Sequence, residues 1–181
     1  MISKKLFTKE ECDTIIALTQ TYDRGKHKNS TYSFDEQSRV NAEDKVFYTG
    51  YIIPVNNETS WVYEKLFNFF EKESKFKLYR YPTGFYIMQY KVGDKFMKHN
   101  DSAFQRVFTV GVQLNSEYTG GEFTVEDNGK EIKLSKEPGT SYFFEVACEH
   151  EVKEITSGVR YSIVSFIKEA DLLIADRKNL I

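Results

Sequence analysis

Three residues of this 181-residue chain have the types and the spacing to bind one metal ion together. His99 and Asp101 are two positions apart, so in an extended segment their side chains project to the same face. His150 follows three or more predicted strands later, where a closed sheet can return it to the same point. Imidazole nitrogens and a carboxylate oxygen are common ligands of divalent transition metals.

Two histidines and one carboxylate on one side of a metal, with the remaining positions open, form the facial triad of non-haem Fe(II) oxygenases. The pattern alone has low specificity, because a His-x-Asp pair with a distant histidine occurs in many unrelated chains. An exposed polar pair at His99 and Asp101 therefore stays open as an alternative. Cys148, two residues before His150, is a further candidate ligand, although a thiolate would suit zinc better.

Arg160 adds a second chemical group to this constellation. Strand alternation places Arg160 and Ser162 on one face, with Tyr161 and Ile163 on the other. An inward-facing arginine is costly unless its charge meets an anion, so the pattern predicts either a buried carboxylate partner or an anionic ligand. A planar guanidinium binds a carboxylate through two hydrogen bonds, and the Ser162 hydroxyl can add a third.

The segments around these residues resemble the prolyl 4-hydroxylase-type dioxygenases that depend on 2-oxoglutarate and Fe(II). Three blocks carry the resemblance: Tyr90-x-x-Gly93-x-x-Phe96-x-x-His99-x-Asp101, Leu114-Asn115 with Tyr118-Thr119-Gly120-Gly121-Glu122-Phe123, and His150-Glu151-Val152 with Thr156-x-Gly158-x-Arg160-Tyr161-Ser162. They occur in the family's order and cover about residues 81–168. One departure is Glu154, where such proteins often have proline, and this alters the turn more than the chemistry.

The resemblance implies a role for each candidate residue. The two histidines and the aspartate of the triad would bind Fe(II), and Arg160 would hold the distal carboxylate of 2-oxoglutarate. Tyr90 and Ser162 are candidates for hydrogen bonds to the same co-substrate. Each also has a simpler interpretation, because a strand tyrosine is usually core or interface material and a small residue suits a crowded inner face.

The resemblance also implies an activity and its cofactors. We expect a hydroxylase of a peptidyl residue, with proline in a protein or peptide as the first candidate, that decarboxylates 2-oxoglutarate to succinate and CO2. Fe(II), 2-oxoglutarate as co-substrate and O2 would be required, with ascorbate as a candidate addition. Two alternatives remain open, since one fold hosts many functions. They are hydroxylation of another side chain or a small metabolite, and a jelly-roll binding module without turnover.

Two predicted helices precede the strands that must position these residues. Thr8 and Glu11 have capping-box spacing, and apolar residues recur after them at helical intervals, which predicts a helix over about residues 8–21. A second helix is predicted from Thr59 or Ser60 to near Lys75. The polar stretch 22–44 between them is predicted to be a long loop, and we interpret it as a candidate flap over the substrate.

From Lys77 onward, short aromatic and β-branched runs alternate with turn residues, as in an antiparallel sandwich or barrel. About seven strands are predicted: Phe85–Tyr90, Phe104–Leu114, Gly121–Glu126, Lys130–Leu134, Thr140–Glu145, Glu151–Ile155 and Arg160–Ile167. Asn128-Gly129 is a strong hairpin signal. Helices followed by strands predict an α+β fold.

The resemblance makes this fold a double-stranded β-helix, the cupin-like jelly roll, buttressed by the N-terminal helices. We expect a single domain over residues 1–181, with helical and loop support over 1–76 and the core over about 77–170. Residues 22–75 match the family little, so substrate choice is expected there. Arg39 is a candidate for a substrate groove, with a solvated loop charge as the alternative, and His27 is expected to be solvated.

Composition excludes several other classes of protein. Twenty-five basic against 27 acidic residues give a formal charge of −2, which argues against a nucleic-acid partner and against the nucleobase-dealkylating branch of the family. Two cysteines are too few for a disulfide framework and favour a reducing compartment. Neither a secretory signal nor a transmembrane run is evident, so a cytoplasmic protein without membrane contact is expected. The sequence leaves the oligomeric state and the C-terminal segment 171–181 open.

Overall fold

The computed structural model describes residues 1–21, 49–82 and 84–173. Within these ranges the chain forms two α-helices, α1 (Lys9–Thr21) and α2 (Ser60–Glu73), and a short 3-10 helix over Glu169–Asp171. The described strands are β1 (Ile2–Lys5), β2 (Thr49–Pro54), β3 (Gly84–Tyr90), β4 (Phe96–His99), β5 (Arg106–Gln113), β6 (Tyr118–Gly120), β7 (Phe123–Asp127), β8 (Lys130–Lys133), β9 (Thr140–Glu145), β10 (His150–Val152), β11 (Ile155–Gly158) and β12 (Arg160–Lys168).

The strands form one large sheet, one smaller sheet and a short two-stranded pair. The large sheet has the order β1-β9-β5-β12-β3-β2, and the smaller sheet has the order β4-β10-β7-β8. Strands β11 and β6 form the separate pair. All the strand pairs within these sheets are antiparallel. The neighbours in each sheet are therefore mostly distant in sequence.

The large sheet separates two hydrophobic cores because its side chains alternate between its faces. One face packs on the helices: Ile163 and Ile167 of β12 share a buried cluster with Phe70 of α2. The opposite face shares a second cluster with the smaller sheet, where Tyr142 of β9 packs against Phe123 of β7. The space between the two sheets is where the candidate residues converge.

Both predicted helices are observed. The capping box at α1 is formed, since Thr8 Oγ1 accepts from the Glu11 amide at 3.2 Å and Glu11 Oε2 accepts from the Thr8 amide at 2.7 Å. Helix α2 packs on the large sheet through aromatic rings, with Phe70 5.1 Å from both Phe108 and Phe143 between ring centroids. This packing supports the sheet face opposite the candidate site.

Several strand boundaries differ from the predicted ones. Strand β5 begins at Arg106 instead of Phe104, because Phe104 and Gln105 have φ values of 55° and 58°, which an extended strand excludes. The predicted strand Glu151–Ile155 is divided between the end of β10 and the start of β11, which belong to different sheets. Short strands β1, β2, β4 and β6 were absent from the seven predicted.

Other predictions lie partly or wholly outside the described residues. The 22–44 loop, with Arg39 and His27, is outside them. In the C-terminal segment, Leu172 is buried and forms an isolated bridge with Leu78, whereas the residues beyond 173 are outside the description. Within the part of the chain that is described, no helix has the length and apolar composition to cross a membrane.

Candidate metal and co-substrate site

Strand pairing brings the two predicted histidine ligands together. His99 at the end of β4 and His150 at the start of β10 are direct partners in the antiparallel register of the smaller sheet. Directly opposite residues project to the same face of a sheet. The two imidazole rings consequently lie with centroids 4.2 Å apart, although the two residues are far apart in the sequence.

Asp101 completes the cluster from just beyond the end of β4. Its amide donates to the Val146 carbonyl at 2.9 Å, which holds this turn against the loop that leads to His150. One ligand atom from each of His99, Asp101 and His150 lies within 4.8 Å of the others. The Cys148 thiol is not part of this cluster among the described residues. Asp101 is only 9% exposed, which argues against the alternative of an exposed polar pair.

Backbone carbonyls orient both imidazoles. His99 Nδ1 lies 2.7 Å from the Met97 carbonyl, and His150 Nδ1 lies 3.0 Å from the Cys148 carbonyl. A carbonyl only accepts hydrogen bonds, so Nδ1 carries the proton in each ring and a neutral imidazole has its lone pair on Nε2. This arrangement fixes the tautomer that a metal-binding histidine needs.

The facing atoms of the cluster require a cation between them. His150 Nε2 lies 3.3 Å from Asp101 Oδ2, and His99 Nε2 lies 3.7 Å from Asp101 Oδ1. In the neutral tautomers these nitrogens and oxygens are all acceptors, and acceptors at such distances repel unless a proton or a metal ion lies between them. The chemistry of this donor set therefore fits a divalent metal with two nitrogen ligands and one oxygen ligand.

The charge states of the ligands also suit metal binding. Burial, followed by the neighbouring His150, holds the pKa of His99 below its usual value, which favours the neutral imidazole. Burial alone would raise the pKa of Asp101, but the neighbouring His150, the hydrogen bond from Thr109 and the neighbouring His99 outweigh it and lower that pKa. The cluster is thus poised as a neutral His99 beside an ionised carboxylate.

Arg160 is the second focus of the site, and its side chain is buried. The residue is 1% exposed, and no carboxylate among the described residues forms an ion pair with it. Its Nε has no hydrogen-bond partner there, while one terminal nitrogen donates to Ser162 Oγ at 3.0 Å. The sequence predicted either a carboxylate side-chain partner or an anionic ligand for Arg160. The carboxylate partner is absent from the described residues. An anionic ligand would satisfy the unpartnered Nε.

Aromatic rings surround the guanidinium. It lies over the Tyr90 ring at 5.2 Å, and Tyr90 is also the strand partner of Arg160 in the pairing of β3 with β12. The Phe123 ring lies 6.0 Å away on the smaller sheet. These contacts place both Tyr90 and Ser162, predicted from the sequence, directly beside Arg160.

One cavity of about 490 Å³ joins the metal cluster to the arginine. The polar and charged residues of its lining are His99, Asn100, Asp101, Arg106, Thr109, His150, Glu151, Arg160 and Ser162. The apolar and aromatic residues of its lining are Tyr86, Met88, Tyr90, Phe96, Ala103, Phe104, Phe123, Tyr142, Val152, Val164 and Phe166. A concave apolar site with a few convergent polar groups is the usual form of a small-molecule pocket.

Several polar residues in or beside the site were not singled out from the sequence, and three of them hold or border its central groups. Thr109 Oγ1 donates to Asp101 Oδ2 at 2.7 Å, Gln113 Nε2 donates to the Tyr118 hydroxyl at 2.9 Å, and Tyr142 borders the cavity. A signal for two of them was present, because Thr109, Gly111 and Gln113 occupy alternate positions of an otherwise apolar strand. Small and polar residues on one strand face indicate that the face lines a site instead of packing a plain core.

The sequence from β3 through β12 matches the model of a known family. The model of the 2OG-Fe(II) oxygenase superfamily matches residues 85–168, which include all three candidate metal ligands and Arg160. Residues 85–168 are therefore similar to a 2OG-Fe(II) oxygenase domain. The resemblance to the prolyl 4-hydroxylase type, inferred from the sequence blocks, is confirmed.

Individual relatives agree with this family. A PKHD-type hydroxylase from Parvibaculum lavamentivorans is 33% identical over 100 residues, which cover 52% of this chain and 46% of the relative. The chain thus matches about half the length of that curated relative.

Two solved structures share the fold. A prolyl 4-hydroxylase from Pseudomonas putida aligns with a TM-score of 0.67 and 12% identity, covering 92% of this chain and 91% of the other. A prolyl hydroxylase from Trichoplax adhaerens, solved with a peptide fragment of the hypoxia inducible factor oxygen degradation domain, aligns with a TM-score of 0.70 and 14% identity, covering 99% and 86%. The predicted jelly roll is thereby confirmed as the architecture of the two facing sheets.

Proposed function

We propose that this protein is a 2-oxoglutarate- and Fe(II)-dependent dioxygenase that hydroxylates a peptidyl residue, with proline as the first candidate. One observation carries the proposal. A cluster of two histidines and one carboxylate shares a single cavity with a buried arginine that has no carboxylate partner among the described residues. A metal and a dicarboxylate are the ligands that these two features require together.

The residues of the chain bind and orient the reactants. His99, Asp101 and His150 would hold Fe(II) and leave its other positions open, and Arg160 with Ser162 would bind the distal carboxylate of 2-oxoglutarate. Bound iron and 2-oxoglutarate would supply the oxidation, in which O2 yields succinate, CO2 and a hydroxylated substrate carbon. The apolar walls exclude water from the cavity and position an uncharged carbon near the metal.

The choice of a peptidyl substrate has two supports. The fold is shared with prolyl hydroxylases, one of which was solved with a peptide bound. The cavity lining includes the apolar and aromatic residues Tyr86, Met88, Val164 and Phe166. Such side chains suit a compact aliphatic group such as a proline ring.

The test measures succinate formation from 2-oxoglutarate by the Fe(II)-loaded protein with ascorbate, with and without proline-containing peptides. Wild-type protein should form succinate and add one oxygen atom to a peptide, detected by mass spectrometry. A matched peptide with alanine in place of proline should remain unmodified. Asp101→Ala should lose both products, whereas Asp13→Ala, which changes an exposed residue of α1, should keep them.

Each failure has a distinct meaning. If the Fe(II)-loaded protein forms no succinate under any condition, the dioxygenase proposal is wrong and a binding module becomes the better hypothesis. If succinate forms but no peptide is oxidised, the peptidyl part is wrong and a small-molecule substrate replaces it. Succinate formation by Asp101→Ala would contradict the assignment of the metal ligands.

A further inference from the structure

Tyr142 is a buried residue whose hydroxyl the site described so far leaves unused. The residue is 3% exposed and borders the cavity, and no described residue forms a hydrogen bond with its hydroxyl. Burial raises the pKa of Tyr142 to about 12, so the hydroxyl keeps its proton and remains a donor. A donor that borders a cavity can donate a hydrogen bond to a ligand bound there, and such a bond is stronger in a site of low dielectric than in water.

The sheet makes room for this hydroxyl at one position. A Cβ atom at Gly111 would lie 2.4 Å from both Cζ and the hydroxyl oxygen of Tyr142, and 2.6 Å from the Ile163 carbonyl. Any larger residue at 111 would therefore displace the phenol. The Tyr142 ring is also held from its other side, where it stacks on Phe144 at 6.1 Å and packs on Phe123 at 5.1 Å.

Strand register places the hydroxyl between the two ends of the cavity. Tyr142 of β9 pairs with Gly111 of β5. Thr109 precedes Gly111 by two residues in β5, and its hydroxyl holds the metal ligand Asp101. Gln113 follows Gly111 by two residues and pairs with Ser162 of β12. Two residues of a strand span about 6.6 Å, so a molecule that reaches from the metal to the guanidinium passes over Tyr142.

We propose that the Tyr142 hydroxyl donates a hydrogen bond to the distal carboxylate of 2-oxoglutarate, beside Arg160. This inference rests on the proposed function. The carboxylate is favoured at that end because the positive charge of Arg160 attracts it, and Arg160 and Tyr142 both contact the Phe123 ring. A carboxylate has about four acceptor sites, so it can accept from the guanidinium, Tyr142 and Ser162 together.

The test compares two ligands on anaerobic Fe(II)-loaded full-length protein. The ligands are 2-oxoglutarate and 2-oxopentanoate, which has the same carbon chain but no distal carboxylate. Dissociation constants are measured by calorimetry and by titration of the visible charge-transfer band. Tyr142→Phe, which keeps the ring contacts, should weaken 2-oxoglutarate binding about tenfold to a hundredfold and leave 2-oxopentanoate binding unchanged.

A matched variant controls for the loss of any tyrosine hydroxyl from this sheet. Tyr161→Phe changes a hydroxyl on the opposite face, where it accepts from Gln89 at 2.7 Å, and should bind both ligands as wild type does. Equal 2-oxoglutarate affinity in Tyr142→Phe and wild type would overturn the inference, as would an equal loss for both ligands. If wild type binds no 2-oxoglutarate, the proposed function itself fails.

Discussion

At the scale of single residues, the site depends on groups that orient the ligands as much as on the ligands. The Asp101 carboxylate receives a hydrogen bond from Thr109, and each histidine is fixed through its Nδ1 by a backbone carbonyl. Such outer contacts hold a ligand in the geometry that the metal needs and lower the entropy lost on binding. Thr109 lies on β5, so the large sheet positions a candidate ligand that follows strand β4 of the smaller sheet.

Thr109→Val should weaken metal affinity about tenfold or more, because the Asp101 carboxylate loses its 2.7 Å hydrogen bond and its fixed orientation. Thr109→Ser keeps a hydroxyl and should restore most of that affinity. Calorimetric titration of the three proteins with Mn(II) at one pH measures the effect. Identical affinities in all three would show that the threonine contributes packing alone.

At the scale of elements, a tight turn between β6 and β7 clears space for the arginine. Gly121 has a φ of +61°, and a Cβ there would lie 3.3 Å from Arg160 Cδ and 2.3 Å from Ile155 Cδ1. Gly129, in the β7–β8 hairpin, has a similar φ of +72° but faces open space. The two glycines share a backbone conformation and differ in what surrounds them.

This pair separates backbone strain from displacement of the arginine. Gly129→Ala should lose roughly 1–2 kcal/mol of folding free energy because the position requires a positive φ. Gly121→Ala should lose at least as much, because its Cβ also meets Ile155. Only Gly121→Ala should also raise the dissociation constant for 2-oxoglutarate, because it crowds Arg160. Urea unfolding and calorimetric binding measure the two effects. A matching loss of binding in Gly129→Ala would mean that strain alone explains the result.

At the scale of the whole molecule, the large sheet holds a helix-facing core on one side and the site on the other. The helix-facing core contains Cys12 of α1, which is 0% exposed. Burial raises the pKa of the Cys12 thiol from 9.0 to about 11. The thiol ionises in the unfolded chain first, so this group contributes stability below pH 9 that is lost as the pH rises toward 11.

Replacing the thiol should therefore flatten the alkaline part of the stability profile. Between about pH 8 and about pH 11, wild type should lose roughly 2–3 kcal/mol more folding free energy than Cys12→Ala does, although the variant starts less stable because of the cavity it creates. Urea unfolding at a series of pH values measures both curves. Parallel curves would contradict the assigned ionisation.

Local patterns in the sequence determined the helix cap, the hairpin turn and the chemical types of the site residues. The capping box at Thr8 and Glu11 and the hairpin at Asn128-Gly129, whose φ values are 52° and 72°, depend on neighbours within a few residues. The metal-ligand types and the inward arginine could be identified from residue chemistry and strand alternation. The resemblance then added the jelly roll, which the comparisons confirm, and the ligand roles, which remain proposals.

Only the tertiary structure decided how those components meet. The pairing of His99 with His150, the hydrogen bond from Thr109 to Asp101 and the place of Tyr142 over Gly111 all join strands that are distant in sequence. Register between such strands is set by the packing of whole sheet faces, and a slip of one residue would move every side chain to the other face. A local pattern carries no information about that choice, so these contacts emerge only when both sheets are assembled.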